Sequence, residues 1–582
     1  MRQPLCISVS LVFLTTPSVR AYADANGAAA AQEPPDDPVV RAMHDELDRS
    51  AAQLALPDAA KPYCISLRLD EQTSANVSAS FGALTRKQAG RARYLRAMVR
   101  VGDYALDNTN SAAASSFSPA GIEMLPIEDD YDAVRHDIWH ATDLAYKQAA
   151  ADYANKVAAR KAQNQSADDA ADFSRESPSR FVRRRAAQAL DLEGDASLVK
   201  GLSTIAKEFS EIQASEVAMT VTNDRRVLMT SEGTFADEDS AVTMLTATLR
   251  TQAPDGMPLN RVVSYSATST RGLPAQDVLE QEIRRAAQEL SDERLAPEAE
   301  DYVGPVLFEG AAAATLVRDV IAPQLSGAPA PKSDASSPMA QVTGSETEWA
   351  SKIGQRVMAA GLRVVDNPTI EDFGSLALIG AYAADDEGMP AQKVTLIENG
   401  LFERFVMSRS PRKGFDHSNG HGRGASWGPI KASISNLIVS SDRGLSAAKL
   451  RQRLLAEVGA TGQRYGLVVR LLDDPMATGD YAAMFRRARG DSVPPPAQLV
   501  RVTVDGKEEP LRGGTFGPLP LRAFEEIIAV GNDPAVASSI LGSSSSVVCP
   551  ALLFRRVEIK KPTGPQRKPP LLRHPYFAVK AP

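Results

Sequence analysis

The sequence predicts an α+β protein: an N-terminal α/β region with a mixed sheet and long helices, followed by a β-rich C-terminal domain. Three observations point there. Segments such as Tyr63–Leu69, Tyr94–Leu106 and Ala241–Thr251 alternate apolar and polar residues and favour β-branched and aromatic side chains, the period of half-buried strands. Tyr131–Ala162 and Ala275–Leu290 instead return apolar residues at three- and four-residue steps, the period of a helix face. Past a small-residue, proline-bearing stretch at 326–342, the chain reads mostly as strand to its end.

The elements follow in order. Residues 1–23 have a positive start at Arg2, a short apolar core from Pro4 to Thr16 and a small-x-small end at Ala21-Tyr22-Ala23, the pattern of a secretory signal peptide. That reading implies export to a periplasmic or extracellular compartment; a mis-assigned start would leave the chain cytoplasmic. The run is too short to span a bilayer, and no other stretch reaches the roughly 18 apolar residues of a transmembrane helix. Residues 24–60 form a flexible lead-in with a helix at Val39–Leu54. The N-terminal α/β region occupies 61–325, with strands at Tyr63–Leu69, Val77–Leu84 and Tyr94–Leu106. Its helix at Tyr131–Ala162 gathers Lys and Arg at its end, as the helix dipole favours. A polar loop (163–180), a helix (196–215) and strands at Val217–Thr222 and Arg226–Thr230 come next, the two strands flanking an Asn223-Asp224 hairpin turn. The strand Ala241–Thr251 and helices at 275–290 and 310–322 complete the region. Residues 326–342 are a linker and 343–559 the β-rich domain, with helices at 445–458 and 521–530. Residues 560–582 are a basic, proline-rich tail.

Composition narrows the function classes. With 582 residues the chain has room for two or three domains, and its net charge of −7 disfavours wrapping nucleic acid, which needs a basic surface. Of the cysteines, Cys6 lies in the signal segment; Cys64 and Cys549 would remain, able to pair in an oxidising compartment only if their Cα atoms approach. No Cys-x-x-Cys spacing suggests a zinc ribbon.

Asp366–Met407 reads DNPTIEDFGSLALIGAYAADDEGMPAQKVTLIENGLFERFVM: an Asp-x-Pro start, a strand, Asp-Asp-Glu-Gly-x-Pro, a strand ending Ile-Glu-Asn-Gly, then another strand. Upstream, Val303–Gly327 (VGPVLFEGAAAATLVRDVIAPQLSG) reads as a strand entering a helix. Together these resemble the TldD/PmbA family of metallopeptidase-like proteins, whose C-terminal β-rich domain the resemblance implies for this chain. Peptidases of that family carry His-Glu-x-x-x-His at the strand-to-helix junction, where two imidazoles hold zinc and the glutamate polarises water. Here the aligned residues are Phe308, Glu309 and Ala313. A phenyl ring and a methyl group offer zinc no lone pair. The chain is in this respect similar to the PmbA-type branch, which lacks the pair and partners with a TldD-type subunit. Glu309 is the one aligned candidate for catalysis; a glutamate at a helix start also stabilises the dipole without any chemistry.

Other groups were candidates by residue type. Gly414–Gly428 (GFDHSNGHGRGASWG) carries Asp416, His417, Asn419, His421 and Arg423 on a glycine-rich segment, suited to substrate or partner contact. His417 and His421, with Asp416, form an alternative metal set if the loop folds back; otherwise this is a mobile loop with solvated histidines. Asp385, Asp386 and Glu387 could bind a cation or a peptide amine, or simply form an exposed hairpin turn. His136 and His140, with Asp143, share a helix face and could ligate metal, or be surface residues. Arg180–Arg185 (RFVRRR) suits an acidic partner, or a solvated helix start after Pro178. Ser543–Ser546, with no histidine near in sequence, reads as a flexible loop.

The resulting expectation is a peptide-binding or partner subunit with a degenerate zinc site, taking peptides or a small protein and pairing with a TldD-type subunit or itself. The alternatives are an active peptidase that holds zinc through His417 and His421, and a non-enzymatic secreted surface protein.

Overall fold

The computed structural model describes residues 37–57, 59–110, 120–162, 170–329, 347–425, 428–474, 493–540 and 542–562. The signal-peptide segment, most of the 326–342 linker and all but the first residues of the tail lie outside the described residues.

The first lobe is a seven-stranded mixed sheet. Its strands are β1 (Pro62–Ser80), β2 (Ala83–Val101), β3 (Ile122–Met124), β4 (Arg180–Arg183), β5 (Ala214–Thr230), β6 (Phe235–Gln252) and β7 (Pro258–Ala267). They lie in the order β3-β2-β1-β5-β6-β4, with β7 also on β6. Only β4 runs parallel to its neighbour. Helices α1 (Pro38–Gln53) and α2 (Tyr131–Ala162) pack on the near half of one face, over Leu67, Leu69, Ala97 and Val227. Helices α3 (Leu192–Thr204) and α4 (Gln276–Glu293) pack on its far half, over Val77, Val217 and Leu245. These odd-numbered positions in β1, β5 and β6 put the apolar residues on one face, because side chains alternate along a strand. Asp37 caps α1 by accepting from Val39 and Val40 N–H at 2.9 and 3.3 Å.

Three local readings are corrected in this lobe. Val77–Ser80 continues the earlier strand as one 19-residue element, β1; the chain then turns at Phe81 and Gly82, both at positive φ, and Ala83 and Leu84 already belong to β2. Asn223-Asp224 is not a hairpin turn but the middle of the continuous strand β5. Its turn-forming side chains are satisfied sideways instead: Asn223 exchanges hydrogen bonds with the Gln188 backbone at 2.9 Å, and Asp224 accepts from Gln72 at 2.9 Å. With both flanks paired, to β1 and β6, the extended form prevails over the turn propensity. The Arg180 cluster starts no helix: it forms β4, and Arg183, Arg184 and Arg185 pair with Glu238, with Asp237 and Asp239, and with Glu371.

The second lobe is an eleven-stranded sheet centred on Ser545–Lys560 and β8 (Tyr302–Phe308). β8 runs antiparallel to Ser545–Lys560 and parallel to Tyr465–Leu472. The second sheet therefore takes a strand from before the 326–342 segment, so the structural division falls ahead of β8 and not at the linker. After β8 comes α5 (Gly310–Leu316), continuing into a π turn at Val317–Ile321 and a 3₁₀ turn at Ala322–Leu325 where one regular helix was expected. Val306 and Phe308 join the core on the α5 side, while Leu307 joins Leu450 and Leu454 of the helix Ala447–Ala460 on the other. The helix expected at 521–530 is a 3₁₀ turn (Leu521–Glu526) followed by a strand from Ile527 to Ser539. Ladder pairing with Ser545–Lys560 takes that strand, and the serine run contributes to its partner: Ser546 is buried and accepts from Ile379 N–H at 3.0 Å. Cys64 and Cys549 are both buried and free, one in each sheet.

Candidate functional site

The strand-to-helix junction is built from β8 and α5. Phe308 is fully buried, its ring 5.6 Å from that of Phe516 and 5.3 Å from that of Phe554. Ala313 is fully buried in the same apolar cluster, with Ala312, Ala314 and Val317. The two positions that the resemblance aligns with imidazoles are thus packed hydrocarbon, which offers a metal no lone pair. Glu309 takes the N-cap position of α5, yet its side chain makes no capping hydrogen bond. It turns to Arg470, with Nε 3.3 Å from the carboxylate, and Arg470 reaches on to Glu508 at 2.7 Å. The expected dipole-stabilising position is occupied, but the carboxylate is held in a surface chain of charges. Sequence reasoning missed Arg470, which lies on a strand more than 150 residues away, at a distance no local pattern signals.

A second cluster joins the lobes. The Asp385–Glu387 turn is not exposed: Asp385 and Asp386 are almost completely buried and Glu387 nearly so. Gly388 closes the turn at φ +80°, and a Cβ there would lie 2.4 Å from Thr234 Cγ2 in the first lobe, so the position requires glycine twice over. Asp386 faces three guanidinium groups, of Arg226 at 2.6 Å, Arg423 at 2.9 Å and Arg68 at 3.0 Å, and accepts from Gly424 N–H at 2.7 Å. Burial alone would raise its pKa; Arg226, Arg423 and Arg68 outweigh it and hold the carboxyl well below the usual range.

Asp385 has no such cation. Its Oδ1 accepts from Glu387 and Met389 N–H at 2.9 and 2.8 Å, and its Oδ2 accepts from Gly422 N–H at 2.7 Å. A Cβ on Gly422 would lie 2.5 Å from Glu387 Oε2 and 3.1 Å from Asp385 Oδ2, so both carboxyls converge on this glycine. Burial, then the Glu387 charge, push Asp385 up to about 8, and burial raises Glu387 also. A carboxyl whose pKa is raised on folding stabilises the fold fully below its unfolded value of about 3.9, and that contribution is lost as pH rises towards the folded value. Unfolding titrations should therefore show a stability component falling between about pH 4 and pH 8. In Asp385→Asn that component should be gone; an unaltered pH profile would refute the assignment.

The glycine-rich loop is partly buried. His421 is fully buried, Nδ1 2.8 Å from the Asn419 carbonyl oxygen and Nε2 3.0 Å from Asp366 Oδ1. Both ring nitrogens are thus engaged by oxygen. Asn419 accepts from Met407 N–H at 2.7 Å and donates to the Phe405 carbonyl at 2.9 Å, so it ties the loop down. Arg423 pairs with Asp386 and lies over the Tyr382 ring at 4.3 Å. His417 is exposed and 3.4 Å from Glu176. The alternative ligand set of His417, His421 and Asp416 is not assembled: among the described residues no group of three or more His, Cys, Asp or Glu side chains is placed to hold a metal ion. His136 and His140 stand exposed on α2, beside Asp137 and Glu123, while Asp143 pairs with Lys147. The proposed substrate contacts Asp385, Asp386, Glu387 and Arg423 are buried and matched to one another and to the first lobe. Their first-lobe partners were overlooked, although Arg68 and Arg226 beside Leu67, Leu69 and Leu228 gave a signal: charges inside otherwise apolar strands are buried only when paired.

Residues 301–561 match the model of the PmbA/TldA metallopeptidase C-terminal domain. A metalloprotease from Methanothermobacter thermautotrophicus is 36% identical over 58 residues, covering 10% of this chain and 12% of the relative. Another from Methanocaldococcus jannaschii is 30% identical over 95 residues, 16% of this chain and 20% of the relative. The chain therefore aligns with only a small part of these curated relatives. Two solved structures share the fold along most of the chain. TldE from Thermococcus kodakarensis has a TM-score of 0.59 at 15% identity, covering 89% of this chain and 100% of that one. A candidate modulator of a DNA gyrase from Thermotoga maritima has a TM-score of 0.58 at 13% identity, covering 89% and 99%. Domain match and shared fold agree with the motifs at 303–327 and 366–407: residues 301–561 are similar to the C-terminal domain of PmbA/TldA metallopeptidases, and the chain shares the fold of the TldE structure.

Proposed function

We propose that this chain is a zinc-less, peptide-binding or partner subunit that completes an assembly with a TldD-type peptidase subunit. The observation that carries the reading is the burial of Phe308 and Ala313 in the apolar core at the junction where the zinc ligands would stand. Glu309 without a metal has no Lewis acid to deliver water to, and its pairing with Arg470 suits an anchoring role. The similarity to TldE supports a partner role, and the signal-like segment at 1–23 supports export. The relocated-ligand reading is disfavoured because His421 is buried with both nitrogens engaged.

The purified chain should contain far less than one zinc per molecule by elemental mass spectrometry, and should hydrolyse no peptide alone. Near-stoichiometric zinc, or a peptidase activity abolished by Glu309→Ala, would overturn the proposal.

A further inference from the structure

A strand at the edge of a sheet presents unpaired N–H and C=O groups that template pairing with another chain, unless the edge is short, charged, bulged or broken by proline. Most edges of the two sheets carry such devices. β3 and β4 are three and four residues long, and β4 holds Arg180 and Arg183. β2 runs on past β3 with Arg86, Lys87 and Arg91. The second sheet ends in Leu401–Phe402 and Glu508–Leu511, two and four residues long. The strand Ile527–Ser539 is longer, but its register shifts twice and it contains Pro534.

β7 has none of these devices over its second half. Its ten residues pair with β6 without a register shift, and no strand is hydrogen-bonded to its other side among the described residues. From Val262 to Ala267 it reads Val-Val-Ser-Tyr-Ser-Ala, with no charge and no proline. The backbone of this stretch makes no hydrogen bond outside the ladder with β6. In an antiparallel pair alternate residues turn both N–H and C=O away from the partner, so the stretch offers donors and acceptors outward.

The open stretch has two ends and a wall. At its start the second lobe closes in: Asn260 donates to Asp473 at 3.4 Å, and Arg261 to the Ala497 carbonyl at 2.8 Å. At its end the 3₁₀ turn Thr270–Gly272 folds back, so that a Cβ on Gly272 would lie 2.9 Å from that of Ala267. α4 runs along one side, where Glu282 and Arg285, paired with each other, act on the Tyr265 hydroxyl.

These limits select the occupant. A row of outward main-chain donors and acceptors is complemented by an extended backbone, which repeats the same groups at the same spacing. The bounded stretch is about 20 Å long, the rise of about six residues. One added strand about 4.8 Å wide covers on the order of 100 Å² there, far below the roughly 800 Å² per partner of a stable protein interface. A second folded copy held by this edge alone is therefore disfavoured, and a short peptide fits.

We infer that the Val262–Ala267 edge of β7 binds an extended peptide segment of about six residues through main-chain hydrogen bonds, adding one strand to the first sheet. The inference rests on the peptide-binding reading above and gives it a place and a mode, recognition of backbone more than of side chains.

The test uses the full chain and two fluorescein-labelled octapeptides of alternating Thr and Val, one of them N-methylated at its four central residues. Methylation removes main-chain donors and keeps the side chains. By anisotropy the unmethylated peptide should bind, and the methylated one at least about tenfold more weakly. Saturation with the first should slow hydrogen exchange within Val262–Ala267 by at least about tenfold at the outward amides. Equal binding of the two peptides, or binding with no slowing at 262–267, would overturn the edge site and leave the peptide-binding reading standing. Binding of neither peptide would overturn both. Slowing at 262–267 that appears without peptide as chain concentration rises, with a doubled mass by light scattering, would give the edge to a second copy and overturn the proposal.

Discussion

Replacing Phe308 by alanine should destabilise the second lobe by about 3–5 kcal/mol, the cost of emptying a fully buried aromatic site. The ring contacts Phe516 in a stacked arrangement and Phe554 edge-on, and the strand carrying it is clamped between Tyr465–Leu472 and Ser545–Lys560. The surrounding backbone is therefore poorly placed to collapse into the space. Glu309→Ala, one residue along, should cost only about 0–1 kcal/mol, since it removes a partly exposed ion pair. Urea titrations followed by circular dichroism would give both values. Equal, small losses would mean that Phe308 is not a core residue, and would remove the ground for treating this junction as structural.

The second large effect is expected at the lobe junction. Asp386→Ala should cost about 3–5 kcal/mol, because it strands Arg68, Arg226 and Arg423 in a buried site without their anion. The lowered pKa sets the pH behaviour. A carboxyl depressed on folding contributes stability above its unfolded value of about 3.9 and loses it as pH falls through the lower folded value. The wild-type chain should thus lose stability in strong acid, and the variant should lack that component. Since the three arginines come from β1, β5 and the glycine-rich loop, the substitution should also loosen the lobes from each other. Hydrogen exchange should rise at Asp385–Gly388, at Gly422–Gly424 and at the near ends of β1 and β5. Protection retained throughout, with a loss under about 1 kcal/mol, would show that Asp386 does not hold the junction.

Much of this architecture is legible in local patterns. The helix α2 spans Tyr131–Ala162 as its apolar spacing indicates, because periodicity records which side of an element faces a core. The motifs at 303–327 and 366–407 pointed to the family resemblance, and Phe308 and Ala313, where that resemblance would place histidines, were visible by residue type alone. The candidate site was legible in its parts but not in its state. An acidic triplet before a glycine has the composition of an exposed turn, and nothing local distinguishes that from a buried one.

By itself, then, the sequence determined the two-region α+β layout, the TldD/PmbA-type motifs and the apolar Phe308 and Ala313 at the junction, all properties of residues close together in the chain. Only the tertiary structure decided that β5 runs straight through Asn223-Asp224, that Asp386 is buried against Arg68 and Arg226, and that His421 is locked to Asp366. Each of these depends on partners supplied from elsewhere in the chain: Gln72 and Gln188 for the strand, the first-lobe arginines for the turn, and Asp366, distant by 55 residues, for the histidine. Turn propensities and solvation preferences are worth a kcal/mol or so per residue, roughly, and a buried charge with its counter-ion outweighs them. Which charge finds which partner is settled by how the two sheets pack, and no local spacing encodes it.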